Sequence, residues 1–359
     1  MSSALNVFLP GHIDPYDSYG LIGCQLARHL ARAGTYVNLF AMGKREMDSH
    51  DPELNAIVQQ PIAPAFGGIF LGYPTGYDKH ENALGQIGPR VCITMFESSK
   101  IPPAWVPPLN EMDAVIVPSW FCADVFRECG VTAPVHVVPL GVGECYRYAP
   151  RPSSGPLTFL AFMDRGARKG ALVALQSFLM AFGESLDYRL ILKTRKRKTP
   201  LEFTNPNIEV VQEDLSEEEL CKLYQRCHVL INPHKGEGFG LIPREFAASG
   251  GLSLTTKWSG TADGVNQWGL PLPYSLEAAD WSGIERFEGM DLGEWAKVDP
   301  AQVAPILRHV ADRWDALAVT LRAKAQAASS LYRWQTFAEQ VIEIWKGVAD
   351  GRSNRLHAA

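Results

Sequence analysis

Gly236-Glu237-Gly238-Phe239-Gly240-Leu241-Ile242-Pro243-Arg244-Glu245 sets two acidic residues, with seven residues between them, around a pair of glycines and a helix start. The segment ahead of it, Val229-Leu230-Ile231-Asn232-Pro233, is a short apolar run stopped by proline and predicts a buried strand. Pro243 suits the first turn of a helix and Gly250-Gly251 suits its end. The order is therefore strand, glycine loop, helix. Such a loop lets backbone N–H groups approach a phosphate, and the helix N-terminus adds a favourable dipole. Glu237 falls in the loop and Glu245 on the helix. At ~1.5 Å rise per residue they lie up to roughly 12 Å apart, so both can touch one extended ligand.

Outward from this stretch the chain alternates between strand and helix patterns. Leu157 to Phe162, Arg189 to Lys193, Ile208 to Gln212 and Leu252 to Thr255 read as strands of one set, with helices between them. Upstream, Gly141, Gly143, Pro150, Pro152, Ser153, Ser154 and Gly155 form a linker. Ahead of the linker lies a second set. Leu5 to Leu9 reads as a strand. Leu21 to Arg32 is a helix with Ile22, Leu26 and Leu30 at helical spacing, and Tyr36 to Phe40 resumes a strand. Further strands are expected at Ile69 to Leu71, Val91 to Met95, Ala114 to Val117 and His136 to Val138, with Ser119 capping a helix. The stretch from Val303 to Val348 reads as helical. Strand, helix, strand with short loops means parallel sheets, so the expected class is α/β with two Rossmann-like domains. Their ligand cleft lies between the carboxyl ends of both sheets. The expected boundaries are residues 1–150, 151–330, a terminal helix over 331–350 and a flexible tail over 351–359.

Composition limits the alternatives. At 359 residues the chain is long for one core and natural for two domains. An apolar content of 46% and a charged content of 20% fit an ordinary globular protein. The net charge of -5 gives no global attraction to nucleic acid or anionic membrane. Seven scattered cysteines without a Cys-x-x-Cys pair support neither a disulfide framework nor a zinc site. Neither a signal-peptide pattern nor a membrane-length apolar run is read, and a cytoplasmic location is expected.

Glu237 and Glu245, with the embedded Gly-Phe-Gly-Leu, match the signature of retaining family 4 glycosyltransferases of the GT-B fold, which the chain resembles over nearly its whole length. The resemblance implies a nucleoside-diphosphate-sugar donor held by Glu237, Glu245, Gly238, Phe239, Gly240 and Leu241. It implies a diphosphate clamp in Asp164-Arg165-Gly166-Ala167-Arg168-Lys169-Gly170, with Arg165 and Lys169 as the expected pair and Arg168 beside them. Two such cations stabilise charge developing on a departing diphosphate. Lys193, Gln212 and Leu215 are expected near the nucleotide, since Ile208 to Ser216 resembles the stretch walling the base. Glu97, at the end of a strand, is expected to meet the donor sugar or the acceptor hydroxyl. Gly11, His12, Tyr19 and Gly20 would form the acceptor-side loop, where many relatives carry paired glycines and this chain has Gly11-His12. Trp258 to Asp263 resembles the loop closing the donor pocket. Tyr332-Arg333-Trp334-Gln335-Thr336-Phe337 resembles the crossover by which the terminal helix returns to the first domain.

No Asp-x-Asp motif occurs, so no metal and no cofactor are expected, with Arg165 and Lys169 as electrophile. The expected partners are the nucleotide-sugar and an acceptor saccharide, small molecule, protein or nucleic acid. The basic run Lys193-Thr194-Arg195-Lys196-Arg197-Lys198 reads either as a phosphate contact or as a solvated loop. A nucleotide-sugar epimerase on the same fold and a transferase acting on a modified nucleic-acid base stay open as alternatives. A dinucleotide oxidoreductase is disfavoured, because no Gly-x-Gly-x-x-Gly follows the first strand.

Overall fold

The computed structural model describes residues 4–10, 18–41, 51–77, 88–163, 167–196 and 200–357. Mostly apolar runs of three to seven residues build two parallel sheets. The first holds β1 (Ala4–Leu9), β2 (Val37–Ala41), β3 (Ala65–Leu71), β4 (Arg90–Ile93), β5 (Ala114–Val117) and β6 (Val135–Val137), in the order β2-β1-β3-β4-β5-β6. The second holds β7 (Leu157–Phe162), β8 (Tyr188–Thr194), β9 (Ile208–Gln212), β10 (Val229–Asn232), β11 (Leu252–Thr256) and β12 (Gly269–Leu272), in the order β12-β11-β10-β7-β8-β9. Among the described residues every pairing within these two sheets is parallel, which demands helical crossovers and burial of both faces. The four residues of β5 and of β10 are buried accordingly. The two-domain α/β architecture expected from the sequence is the one observed.

Each sheet reverses its strand order at one place. In the second sheet the chain runs β7, β8, β9 one way and then returns to lay β10 on the other side of β7. The crevice beyond the carboxyl ends of β7 and β10 is where such sheets receive ligands. The loops leaving those two strands carry Lys169 and Glu237.

Among the elements that escaped the sequence reading are the helix Pro52–Gln59, β12, and a hairpin of β13 (Ser275–Ala278) and β14 (Glu294–Lys297). The helical stretch expected from Val303 to Val348 is four helices, Pro300–Asp312, Trp314–Ala318, Leu321–Leu331 and Trp334–His357. The last packs on the first-domain helix Ser18–Arg32 and runs past residue 350, so helix replaces tail as far as His357. The crossover is stitched to the linker where the Val142 amide donates to the Tyr332 carbonyl at 3.1 Å. Further along the linker, Arg151 donates to the carbonyls of Tyr224, Cys227, Ala149 and Ser249, beneath the ends of the helices Glu217–Arg226 and Leu241–Ala248. All seven cysteines are free thiols. Among the described residues no helix is long and apolar enough to cross a membrane.

Candidate active site

The glycine loop after β10 is shaped by what presses on it. Gly240 precedes the helix Leu241–Ala248 with φ of 85°, a left-handed conformation that glycine adopts without strain. A Cβ on Gly238 would overlap the side chain of Met95 from the first domain. The Gly238 carbonyl accepts from Ser119 Oγ at 2.8 Å, and Ser119 also caps the helix Trp120–Glu128 by accepting from the Cys122 amide. The two domains therefore meet at this loop.

Behind it sits Arg244, fully buried. Its guanidinium donates to the carbonyls of Phe239, Gly240 (3.1 Å), Gly260 (2.9 Å) and Asp263 (3.1 Å). The rings of Phe239, Tyr332 and Trp268 surround it, with centroids 4.0, 4.7 and 4.9 Å away. One cation thus joins the glycine loop, the 260–263 loop and the crossover residue Tyr332. The sequence reading gave Arg244 no role.

At the mouth of the loop, charges from three segments converge. Lys169 Nζ donates to Glu237 Oε1 at 2.7 Å, Arg168 Nη1 lies 3.4 Å from Glu237 Oε2, and Arg168 Nη2 lies 3.6 Å from Glu97 Oε1. The Glu237 amide donates to Ser259 Oγ at 2.9 Å, and Ser259 holds a left-handed φ of 57°. Burial alone would raise the Glu237 pKa, but Lys169 and Arg168 outweigh it and hold the carboxyl at about 2. His234 is buried and donates Nε2–H to Thr261 Oγ1 (2.7 Å), whose own proton serves the carbonyls of Thr256 and Trp258. Burial pulls its pKa down to about 4, so the ring beside Glu237 is neutral. Of the residues expected to form a clamp, Lys169 pairs with Glu237 with Arg168 beside it, while Arg165 lies outside the described residues.

Glu245 sits deeper, 3.5 Å from the Tyr224 hydroxyl. Burial, reinforced by Glu217, pushes its carboxyl up to about 8. Lys193 and Gln212 lie at the carboxyl ends of β8 and β9, two and three strands from β10, roughly 10–14 Å away at sheet spacing. Lys193 Nζ donates to the carbonyls of Thr194 (2.9 Å) and Glu213 (2.7 Å), and Gln212 Oε1 accepts from the Leu201 amide (2.8 Å). Leu215 packs against the core nearby. Tyr19 accepts from the Met95 amide at 3.1 Å and so holds the strand end that leads to Glu97; Gly20 is buried beside it. Gly11, His12, Arg197 and Lys198 lie outside the described residues. Two cavities, about 860 and 610 Å³, lie under the linker and between the linker and the first helix, and neither is lined by Glu237.

No family profile matches the chain, and no curated protein matches it either. Solved structures do resemble it. Sucrose-phosphate synthase from Thermosynechococcus elongatus superposes with a TM-score of 0.69 at 16% identity, over 96% of this chain and 99% of that one. A glycosyltransferase from Rickettsia africae gives 0.67 at 13% identity, over 96% and 98%. The α,α-trehalose 6-phosphate synthase from Burkholderia multivorans gives 0.67 at 12% identity, over 99% and 98%. The architecture shared with them is the GT-B fold.

Proposed function

We propose that this chain is a retaining glycosyltransferase that moves a sugar from a nucleoside diphosphate to an acceptor hydroxyl without a metal ion. The observation that carries the reading is the convergence of Lys169, Arg168, Glu237 and Glu97 between the two domains, at the strand-order reversal of the second sheet. Its likeness in fold to glycosyltransferases adds support.

In this reading the donor's diphosphate lies against Lys169 and Arg168, with Arg165 contributing from the same loop. These cations stabilise the negative charge that grows on the β-phosphate oxygen as its bond to the sugar's anomeric carbon breaks. Glu237, held ionised, orients both cations and faces the transferred sugar. The acceptor oxygen attacks the anomeric carbon from the side the phosphate leaves. The acceptor's proton passes to the departing phosphate oxygen, so configuration is retained without a protein nucleophile. Glu97 faces the acceptor side. Glu245 and Tyr224 take the ribose hydroxyls, and the glycine loop gives the diphosphate close access to backbone N–H groups.

A screen of nucleoside-diphosphate sugars for nucleotide release, across saccharide, small-molecule, protein and hydroxylated-DNA acceptors, tests the reading. The anomeric configuration of the product by NMR tests retention. Transfer should survive EDTA. Loss of activity that magnesium or manganese restores would overturn the role given to the cations.

A further inference from the structure

The hairpin β13–β14 belongs to the second domain by sequence, yet much of its contact is with the first. Three consecutive residues of β14 divide their hydrogen bonds between the two domains. The Glu294 amide donates to Ser99 Oγ (2.8 Å) and its carbonyl accepts from the Ser99 amide (3.3 Å). The Trp295 indole N–H donates to the Glu97 carbonyl (3.0 Å). The Ala296 amide donates to the Lys235 carbonyl (2.8 Å), two residues ahead of Glu237, and the Lys235 amide in turn donates to the Arg168 carbonyl (2.7 Å). The arm between the strands adds an anchor. Trp281 stacks on Phe96 at 5.0 Å and donates to Ser98 Oγ at 3.2 Å, and Phe287 lies edge-on to Phe96 and Trp105. Trp281, Phe287, Leu292 and Trp295 are all buried. Gly293 is the point of closest approach: a Cβ there would overlap Ser99 Oγ, and its φ is 80°.

We infer that residues 275–297 form a clasp that sets the spacing between Glu97 and the Lys235–Glu237 loop, with Trp295 as a positioning residue for the Glu97–Arg168–Glu237 line. The inference rests on the glycosyltransferase reading for its kinetic test, though not for its structural one. The clasp joins the very backbone segments that carry the facing charges, Glu97 on one side and the Arg168 and Glu237 loops on the other. Its backbone bonds to the rest of the protein, at Ser99, Lys100 and Lys235, lie within three residues of Glu97 or Glu237. Packing alone does not require that placement.

Trp295→Phe keeps one aromatic ring in the buried site and removes the pyrrole half of the indole with its N–H. It should lower kcat about tenfold while leaving the donor KM within about twofold, the signature of a contact that orders reacting groups. Gly293→Val should undock the clasp, speed hydrogen exchange at the Ser99, Lys100 and Ala296 amides, which donate across the contact, and lower kcat by about a hundredfold. Calorimetric affinity for UDP or GDP should not change in either variant. Met290→Ala, on the exposed part of the arm, is the control and should match the wild type. Full kcat in Trp295→Phe, or exchange at Ala296 unaltered in Gly293→Val, would overturn the clasp. An enzyme inert toward every donor, with the exchange results as expected, would instead unseat the glycosyltransferase reading and leave the clasp standing.

Discussion

Arg244→Met retains the length of the side chain and removes its guanidinium. That group is fully buried, makes no ion pair among the described residues, and sits among three aromatic rings with its two Nη groups donating to four backbone carbonyls. The Asp263 carbonyl keeps the Tyr332 hydroxyl as a donor at 3.1 Å, so the loss falls mainly on the carbonyls of Phe239 and Gly260. Each orphaned buried carbonyl costs about 1–3 kcal/mol, and a desolvated cation–π contact is worth about 2 kcal/mol. Relief from burying a charge offsets part of this, so a net loss of about 4 kcal/mol is expected. Arg244→Lys should recover less than half of it, because a point ammonium cannot reproduce a planar fork that also stacks. Denaturant unfolding measures the stability, and calorimetry with UDP and GDP measures what becomes of the glycine loop. Affinity should fall at least tenfold in Arg244→Met, since the loop carrying Glu237 and Gly238 loses its backing. A variant within about 1 kcal/mol of the wild type and with unchanged affinity would refute the reasoning.

Lys169→Ala and Arg168→Ala should each lower turnover by about a hundredfold or more in steady-state assays, while circular dichroism reports an unchanged fold. Glu237→Gln should cost kcat more than donor affinity, read from the kcat and KM split. Glu237 titrates near 2, below its ordinary carboxyl value, so it contributes stability that is present above about pH 4.5 and is lost as pH falls toward 2. The stability gap between wild type and Glu237→Gln, about 3 kcal/mol at neutral pH, should close over that window in unfolding measurements. Glu245 titrates near 8 in the unliganded protein, and under the proposed function ribose hydroxyls would donate to its ionised form. Nucleotide affinity should therefore rise from pH 6 to 8 and level off above. Calorimetry in two buffers should report release of about one proton on binding below pH 8, and Glu245→Gln should abolish both effects.

Both sheets were legible because parallel strands buried on two faces leave short apolar runs in the sequence, such as Ala114 to Val117 and Val229 to Asn232. The pair Glu237 and Glu245 was legible because glycines and a helix start frame it. The hairpin was not, because Ser275–Ala278 and Glu294–Lys297 are four residues each and carry exposed charge. Their partners are Glu97 to Lys100, nearly two hundred residues away in sequence, and no local pattern encodes that distance. The clamp was half legible: cations at 165, 168 and 169 are visible in the sequence, but which of them turns toward Glu237 depends on the tight turn Ala167–Lys169. Arg244 had no signal at all. A charge on a helix reads as solvated until Phe239, Trp268 and Tyr332, spread over the second half of the chain, are brought around it.

The linker with its crossover and the clasp fasten the two domains to one another at separate places. One follows β6 and the other follows β4, so the fastenings are about 10 Å apart across the first sheet. Arg151 binds the linker to the helix ends of the second domain, so bending on that side is confined to the ten residues or fewer between Leu140 and Ala149. A body pinned at two points keeps a single rotational freedom, the turn about the line through the pins. Fastened in this way, and with Ser119 bonded to Gly238 between the two pins, an opening cleft would swing like a door on its frame rather than twist one domain across the other. Under such a swing Glu97, near one pin, barely travels, while side chains on the far edge of the first sheet sweep the longest arc.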